Sequence, residues 1–174
     1  MFDLGRTLLA SVERSPQALA VVEGELRLSY AEWQRRIEAI AGGLRDLGLR
    51  RGDHLVTLLQ NRWENASLHW ACQLLGLVIT PLNWRASGEE LDYVLGDADA
   101  RALAYEPVTA RAVIAATRSA GLSRIAVGDV ADDPMVHRFV ALLDAAPWRD
   151  GPAADADDTS VMLYTSGTTG RPKG

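Results

Sequence analysis

The chain has 174 residues, 48% of them hydrophobic and 24% charged, a balance that argues for a folded globular protein and against disorder or a fibrous repeat. Its 18 basic residues against 23 acidic ones leave a net charge of -5. No basic stripe accompanies them, so a grip on a nucleic-acid backbone is not expected.

Cys72 is the single cysteine, which excludes an internal disulfide and suits a reducing compartment. No apolar run of signal-peptide type opens the chain, so a cytoplasmic location is expected. The uncharged stretch from Asn65 to Trp84 is long enough to be weighed as a membrane span. It carries Asn65, His69, Gln73, Gly76, Pro81 and Asn83, and reads instead as a buried helix followed by a buried strand.

In chain order, Leu4, Leu8, Leu9 and Val12 recur at helical spacing until Pro16. Ala18 to Val22 and Leu26 to Tyr30 flank Glu23-Gly24-Glu25 and predict a hairpin. Ser29 and Glu32 form a capping box for a helix with the apolar stripe Trp33, Ile37, Ile40, Leu44 and Leu47, closed by Gly48. A turn at Arg51-Gly52-Asp53 leads to a strand at Leu55 to Leu59, a helix at Trp63 to Leu75 and a strand at Leu77 to Leu82. Ser87 and Glu90 make a second capping box. Beyond it the pattern predicts a strand at Ala102 to Tyr105, a helix at Val108 to Ala120 and a strand at Arg124 to Val127. A last helix is predicted through Met135, Val136, Phe139, Val140, Leu142 and Leu143. Apolar strands alternating with amphipathic helices imply an α/β fold: a largely parallel sheet with helices on both faces, plus the N-terminal hairpin. No internal repeat is present. Residues 150–158 read as a surface linker before an apolar strand, Val161 to Tyr164.

That strand delivers Thr165-Ser166-Gly167-Thr168-Thr169-Gly170-Arg171-Pro172-Lys173-Gly174. The glycines allow close backbone approach to an anion, successive amides can form a concave anion site, and the hydroxyls add rotatable donors. Lys173, the only lysine in the chain, adds a compact cation. Pro172 fixes its own φ and biases Arg171 toward extended backbone. Such a loop suits a polyphosphate. It is not a Walker A loop, which ends in Gly-Lys-Ser/Thr and runs into a helix.

The string from Tyr164 to Gly174 resembles the signature of the adenylate-forming superfamily of acyl-CoA synthetases, peptide-synthetase adenylation domains and firefly-type luciferases. Matching so many fixed positions by chance is on the order of one in 10^10. Weaker likenesses extend upstream, at Leu28-Ser29-Tyr30, Gly52-Asp53, Asn61 with Glu64, Pro81-Leu82-Asn83 before Glu90-Leu91, and Asp97 with Asp99.

The resemblance implies two half-reactions. A carboxylic acid attacks the α-phosphorus of ATP, giving an acyl-adenylate and pyrophosphate; a thiol, usually coenzyme A, then takes the acyl group. It implies that Thr165, Ser166, Gly167, Thr168, Thr169, Gly170 and Lys173 hold the β- and γ-phosphates with Mg²⁺, and that Lys173 is catalytic, steadying the departing pyrophosphate. It also implies that residues 1–174 are part of the large N-terminal domain, and that the chain by itself is inactive. The Pro81-Leu82-Asn83-Trp84-Arg85 segment looks more like fatty- or aromatic-acid CoA ligases than amino-acid adenylation domains acting on a carrier protein. A non-catalytic nucleotide-binding or interaction module is the contrasting possibility. The end at Gly174, inside a motif, fits a truncated ligase better.

The remaining candidate groups read as structural. His69 and Cys72 share a helix but lack a second pair for zinc. His54 and His137 lie apart from them. Apolar surroundings would raise the Cys72 thiol pKa, against a nucleophilic role. Asp155, Asp157 and Asp158 lack a calcium-loop pattern and read as solvated. The five tryptophans read as core or cleft walls.

Overall fold

The computed structural model describes residues 4–130, 136–155, 157–165 and 173–174. It divides into two units, one of which combines residues 1–52, 61–77 and 141–158. The other combines 53–60, 78–140 and 159–174.

The first unit starts with α1 (Leu4–Arg14), followed by an antiparallel hairpin of β1 (Leu19–Glu23) and β2 (Leu26–Ser29). Ser29 then caps α2 (Tyr30–Asp46), and both arms of the expected box are made. Ile37, Ile40 and Leu44, spaced at helical intervals, are fully buried. The helix ends as its sequence dictates, with Gly48 at a φ of 90° just past the last turn.

Helix α3 (Trp63–Leu75) packs against α2. Trp33 Nε1 of α2 donates to Ser67 Oγ at 2.8 Å, and the Trp33 and Trp70 rings meet edge to face at 6.5 Å between centroids. The N-terminus of α3 is capped from a distance. Its N-cap residue, Arg62, makes no side-chain cap bond, and the Trp63 amide donates to the Glu23 carboxylate of β1 at 2.6 Å.

Residues 141–158 return to this unit. Trp148 N donates to Glu38 O at 2.9 Å, and Ala153 N to Leu74 O at 2.8 Å. Gly42 and Gly43 form a notch in α2 for the returning chain. A Cβ on Gly42 would lie 1.9 Å from Ala146 O, and one on Gly43 would lie 2.7 Å from Leu142 Cδ2. Asp155, which stays exposed, and the partly covered Asp158 are tied to Arg51, at 2.5 Å and 2.7 Å. Asp157 is exposed.

The second unit is a five-stranded sheet in the order β4-β3-β5-β6-β7, every neighbouring pair parallel. Its strands are β3 (His54–Leu58), β4 (Val78–Pro81), β5 (Ala100–Tyr105), β6 (Ser123–Ala126) and β7 (Val136–Arg138). Helix α4 (Gly88–Asp97) opens with the second expected capping box, Ser87 with Glu90. Its Leu91, Val94 and Leu95 join Val113 of α5 (Ala110–Ala115) against Val56, Leu58, Leu103 and Tyr105 of the sheet. The period of two along the strands and of 3.6 along the helices thus converge on one core.

Three expected elements differ. The helix predicted over Val108 to Ala120 is broken into a 3₁₀ turn (Pro107–Thr109), α5, and a second 3₁₀ turn (Thr117–Gly121). Ala116 between them is extended, at φ -82° and ψ 110°. Asp92 of α4 rewards the break, accepting from Thr117 Oγ1 at 3.0 Å and Arg118 N at 2.8 Å. These bonds, the Arg118 amide first, hold the Asp92 carboxyl below the ordinary aspartate range.

The last predicted helix begins late: Val136–Arg138 is strand β7, and only Phe139–Leu142 (α6) is helical. Met135 lies outside the described residues. Valine and histidine tolerate either state, and pairing with β6 decided it. The strand expected over Val161 to Tyr164 is reduced to one parallel bridge from Val161 to Ile79.

Candidate functional site

Strand order and loop chemistry point to different places in the second unit. The chain reverses direction across the sheet between β3 and β5, and in open α/β sheets ligands favour the crevice at the carboxyl ends of such strands. Here that position is filled by the protein's own bonds. The Glu106 carboxylate, following β5, accepts the Gln60 amide at 2.5 Å. Thr109 Oγ1 donates toward Leu58 O at 3.0 Å and accepts from Glu106 N at 3.1 Å. Glu106 and Thr109 are 4% and 2% exposed, so these groups serve to join the two strand ends.

The hydroxyl-rich loop is delivered along the outer side of β4. Ile79 N donates to Ser160 O at 3.1 Å and Met162 N to Ile79 O at 3.0 Å, which sets the direction of the approaching chain. Four residues after Val161, Thr165 pairs with Lys173 in an antiparallel bridge. Thr165 N donates to Lys173 O at 2.9 Å and Lys173 N to Thr165 O at 3.0 Å. The bridge pairs two of the residues that the sequence assigns to phosphate binding. Ser166, Gly167, Thr168, Thr169 and Gly170 lie outside the described residues.

Tyr164 sits at the base of this bridge. Its hydroxyl donates to Asp97 Oδ2 at 2.6 Å, and Tyr93 Oη donates to Asp97 Oδ1 at 3.3 Å. Across the bridge, a Cβ on Gly174 would lie 2.8 to 3.1 Å from the Tyr164 ring atoms, so the glycine lies flat on the ring. Burial, then the bond to Asp97 and its charge, push the Tyr164 phenol above its ordinary pKa, and it remains a donor at neutral pH. The sequence places Tyr164 at the end of an apolar strand and the start of the signature string, without a contact of its own. The overlooked signal is an acidic residue ending α4, where the helix dipole favours a cation.

A polyphosphate fits what is described. Thr165 and Lys173 are exposed at the bridge, and the nearby Asp97 carboxylate is occupied by tyrosine hydroxyls.

Elsewhere, Cys72 is fully buried, which pushes its thiol pKa far up. His69, half-buried on the same helix, has its pKa lowered by burial. Among the described residues no group of three or more His, Cys, Asp or Glu side chains is placed to hold a metal ion, and no helix is long and apolar enough to cross a membrane.

Comparison with known proteins decides the lineage, because residues 8–174 match the family described as AMP-binding enzyme. The chain belongs to that family. A feruloyl-CoA synthase of an Amycolatopsis species is 38% identical over 173 residues, covering 98% of this chain and 32% of that protein. The ATP-bound MatB structure from Rhodopseudomonas palustris superposes with a TM-score of 0.82 at 28% identity, over 99% of this chain and 34% of that one. An anthranilate CoA ligase solved with anthranoyl-AMP reaches a TM-score of 0.92 at 19% identity, over 99% and 34% of the two chains, a likeness of fold alone. The chain thus spans about a third of the length of these AMP-binding relatives.

Proposed function

We propose that the polypeptide carrying this chain activates a carboxylic acid with ATP, releasing pyrophosphate, and passes the acyl group from the acyl-adenylate to coenzyme A. The observation that carries the reading is the bridge between Thr165 and Lys173, the ends of a hydroxyl- and glycine-rich segment in an AMP-binding enzyme chain.

The first half-reaction brings two anions together, so charge must be offset and geometry fixed before bonds change. Thr165, Ser166, Gly167, Thr168, Thr169 and Gly170 hold the β- and γ-phosphates, and Lys173 balances the charge that develops on departing pyrophosphate. Magnesium bound with the nucleotide supplies further charge compensation. Residues 1–174 make up part of the larger N-terminal domain, residues 150–158 lead into the loop segment, and the chain by itself does not turn over. The acid is an organic acid of the aromatic or fatty class, a reading supported by Pro81-Leu82-Asn83-Trp84-Arg85 and by the likeness to feruloyl-CoA synthase. The buried, lone Cys72 suits a cytoplasmic setting.

Lys173→Ala in the full-length polypeptide tests this. ATP–pyrophosphate exchange should fall about 10²- to 10³-fold, the usual cost of removing one oriented charge-stabilising donor. Thioester formation from a supplied acyl-adenylate should fall far less. Equal losses in both half-reactions would contradict the assigned role. Exchange measured across a panel of acids identifies the substrate.

A further inference from the structure

We infer that Asp97 and Tyr164 form a latch that fixes the bridge between Thr165 and Lys173, making Asp97 a positioning residue for the nucleotide-dependent half-reaction. The inference deepens the function proposed above and rests on it for its kinetic consequence. The latch geometry can be tested by itself.

Three observations converge. Asp97 is the last residue of α4, at the helix end where the dipole disfavours a negative charge. A carboxylate retained there needs donors, and it has two, the hydroxyls of Tyr93 and Tyr164 at 3.3 and 2.6 Å. Tyr93 lies one turn back on the same helix. Tyr164 comes from the far side of the sequence, 67 positions away, and directly precedes Thr165 of the bridge.

The second observation is steric. The Tyr164 ring, held at its hydroxyl by Asp97, presents its face to Gly174 on the outgoing side, with no room for a Cβ between them. One side chain therefore touches both arms of the bridge. The third is packing: the ring also rests on the apolar cluster of α4, α5 and the sheet that includes Leu91 and Val94. The pairing of Thr165 with Lys173 is tied in this way to the buried core of the second unit. Holding Thr165 and Lys173 in place before nucleotide arrives avoids an ordering cost that would otherwise weaken binding.

The experiment uses the full-length polypeptide with Asp97→Ala, Asp97→Asn, Tyr164→Phe and the Asp97→Ala/Tyr164→Phe pair. Asp97 is exposed, so its substitution leaves the core intact. In Asp97→Ala, KM for MgATP in pyrophosphate exchange should rise about tenfold, within the range of one charge-assisted hydrogen bond. Thioester formation from a supplied acyl-adenylate should keep its wild-type rate. Asp97→Asn, whose amide oxygen still accepts from the phenol, should recover most of the loss. Tyr164→Phe should match Asp97→Ala, and the pair should be no worse than either alone. Amide hydrogen exchange at Thr165 and Lys173 should quicken in Asp97→Ala with or without nucleotide. An unchanged KM in Asp97→Ala, additive losses in the pair, or equal damage to both half-reactions would overturn the latch. Absence of exchange activity in the wild type would instead remove the proposed function; the amide measurements would then decide the latch alone.

Discussion

Gly42→Ala sets helix propensity directly against packing. In the interior of an exposed helix, replacing glycine by alanine stabilises by about 1 kcal/mol, because alanine loses less backbone entropy on folding. In α2 the new methyl carbon would lie 1.9 Å from Ala146 O and 3.0 Å from the carbonyl carbon. Both are backbone atoms, so no rotamer change relieves the clash. An ordinary carbon–oxygen contact needs about 3.4 Å, so the returning segment must move off by roughly 1.5 Å. That movement threatens the bond from Trp148 N to Glu38 O, 2.9 Å long and two residues further on. Overpacking costs about 1–3 kcal/mol and the lost bond about 1 kcal/mol. After subtracting the propensity gain, a net destabilisation of about 2 kcal/mol is expected. Gly121→Ala is the control, since nothing lies within 4 Å of its Cβ position and its backbone is not left-handed. It should be neutral or stabilise by about 0.5 kcal/mol. Urea denaturation gives the energies, and hydrogen exchange at the Trp148 amide reports whether the segment has lifted. Reasoning from the notch fails if Gly42→Ala is as stable as wild type, or if the Trp148 amide stays equally protected.

Other outcomes follow from the same framework. Glu23→Ala removes the distant cap on α3 and should cost about 1 kcal/mol, most of it recovered by Glu23→Gln; a loss below about 0.2 kcal/mol would show that Glu23 does not cap the helix. Burial lowers the pKa of His54 and His69, so the unfolded chain binds protons more readily than the folded one. The stability due to their neutral forms is complete above the unfolded value of about 6.5 and is lost as pH falls below it. The melting temperature should therefore drop on acidification through that range, and His54→Gln/His69→Gln should flatten the profile. A steeper profile in the double variant would reverse the sign of the argument.

Much of the fold was legible because its signals are local. Both capping boxes, the left-handed glycine after α2 and the left-handed Gly76 that ends α3 depend on residues within a few positions of each other. The departures depend on distant partners. Thr117 and Arg118 leave helical conformation for the Asp92 carboxylate, 25 and 26 positions away. Val136 to Arg138 join β6 rather than a helix, and no periodicity in three residues records that choice. At the site, composition and string single out the proposed phosphate loop, and the structure pairs its Thr165 with Lys173. Only the acid at the end of α4 hints at the bond from Tyr164 to Asp97, since no spacing links an exposed aspartate to a tyrosine 67 positions later. The tie of Arg51 to Asp155 and Asp158, 104 and 107 positions apart, was hidden for the same reason.

That tie and the glycine notch of α2 set an order on biosynthesis. The ribosome finishes α2 about a hundred residues before it makes the segment that fills the notch, an interval of roughly 5–20 s. Throughout that interval the nascent helix shows a groove at Gly42 and Gly43 with nothing to occupy it. Polypeptides ending anywhere before Leu142 keep the groove bare, and should be prime clients for a holding chaperone while longer products are not.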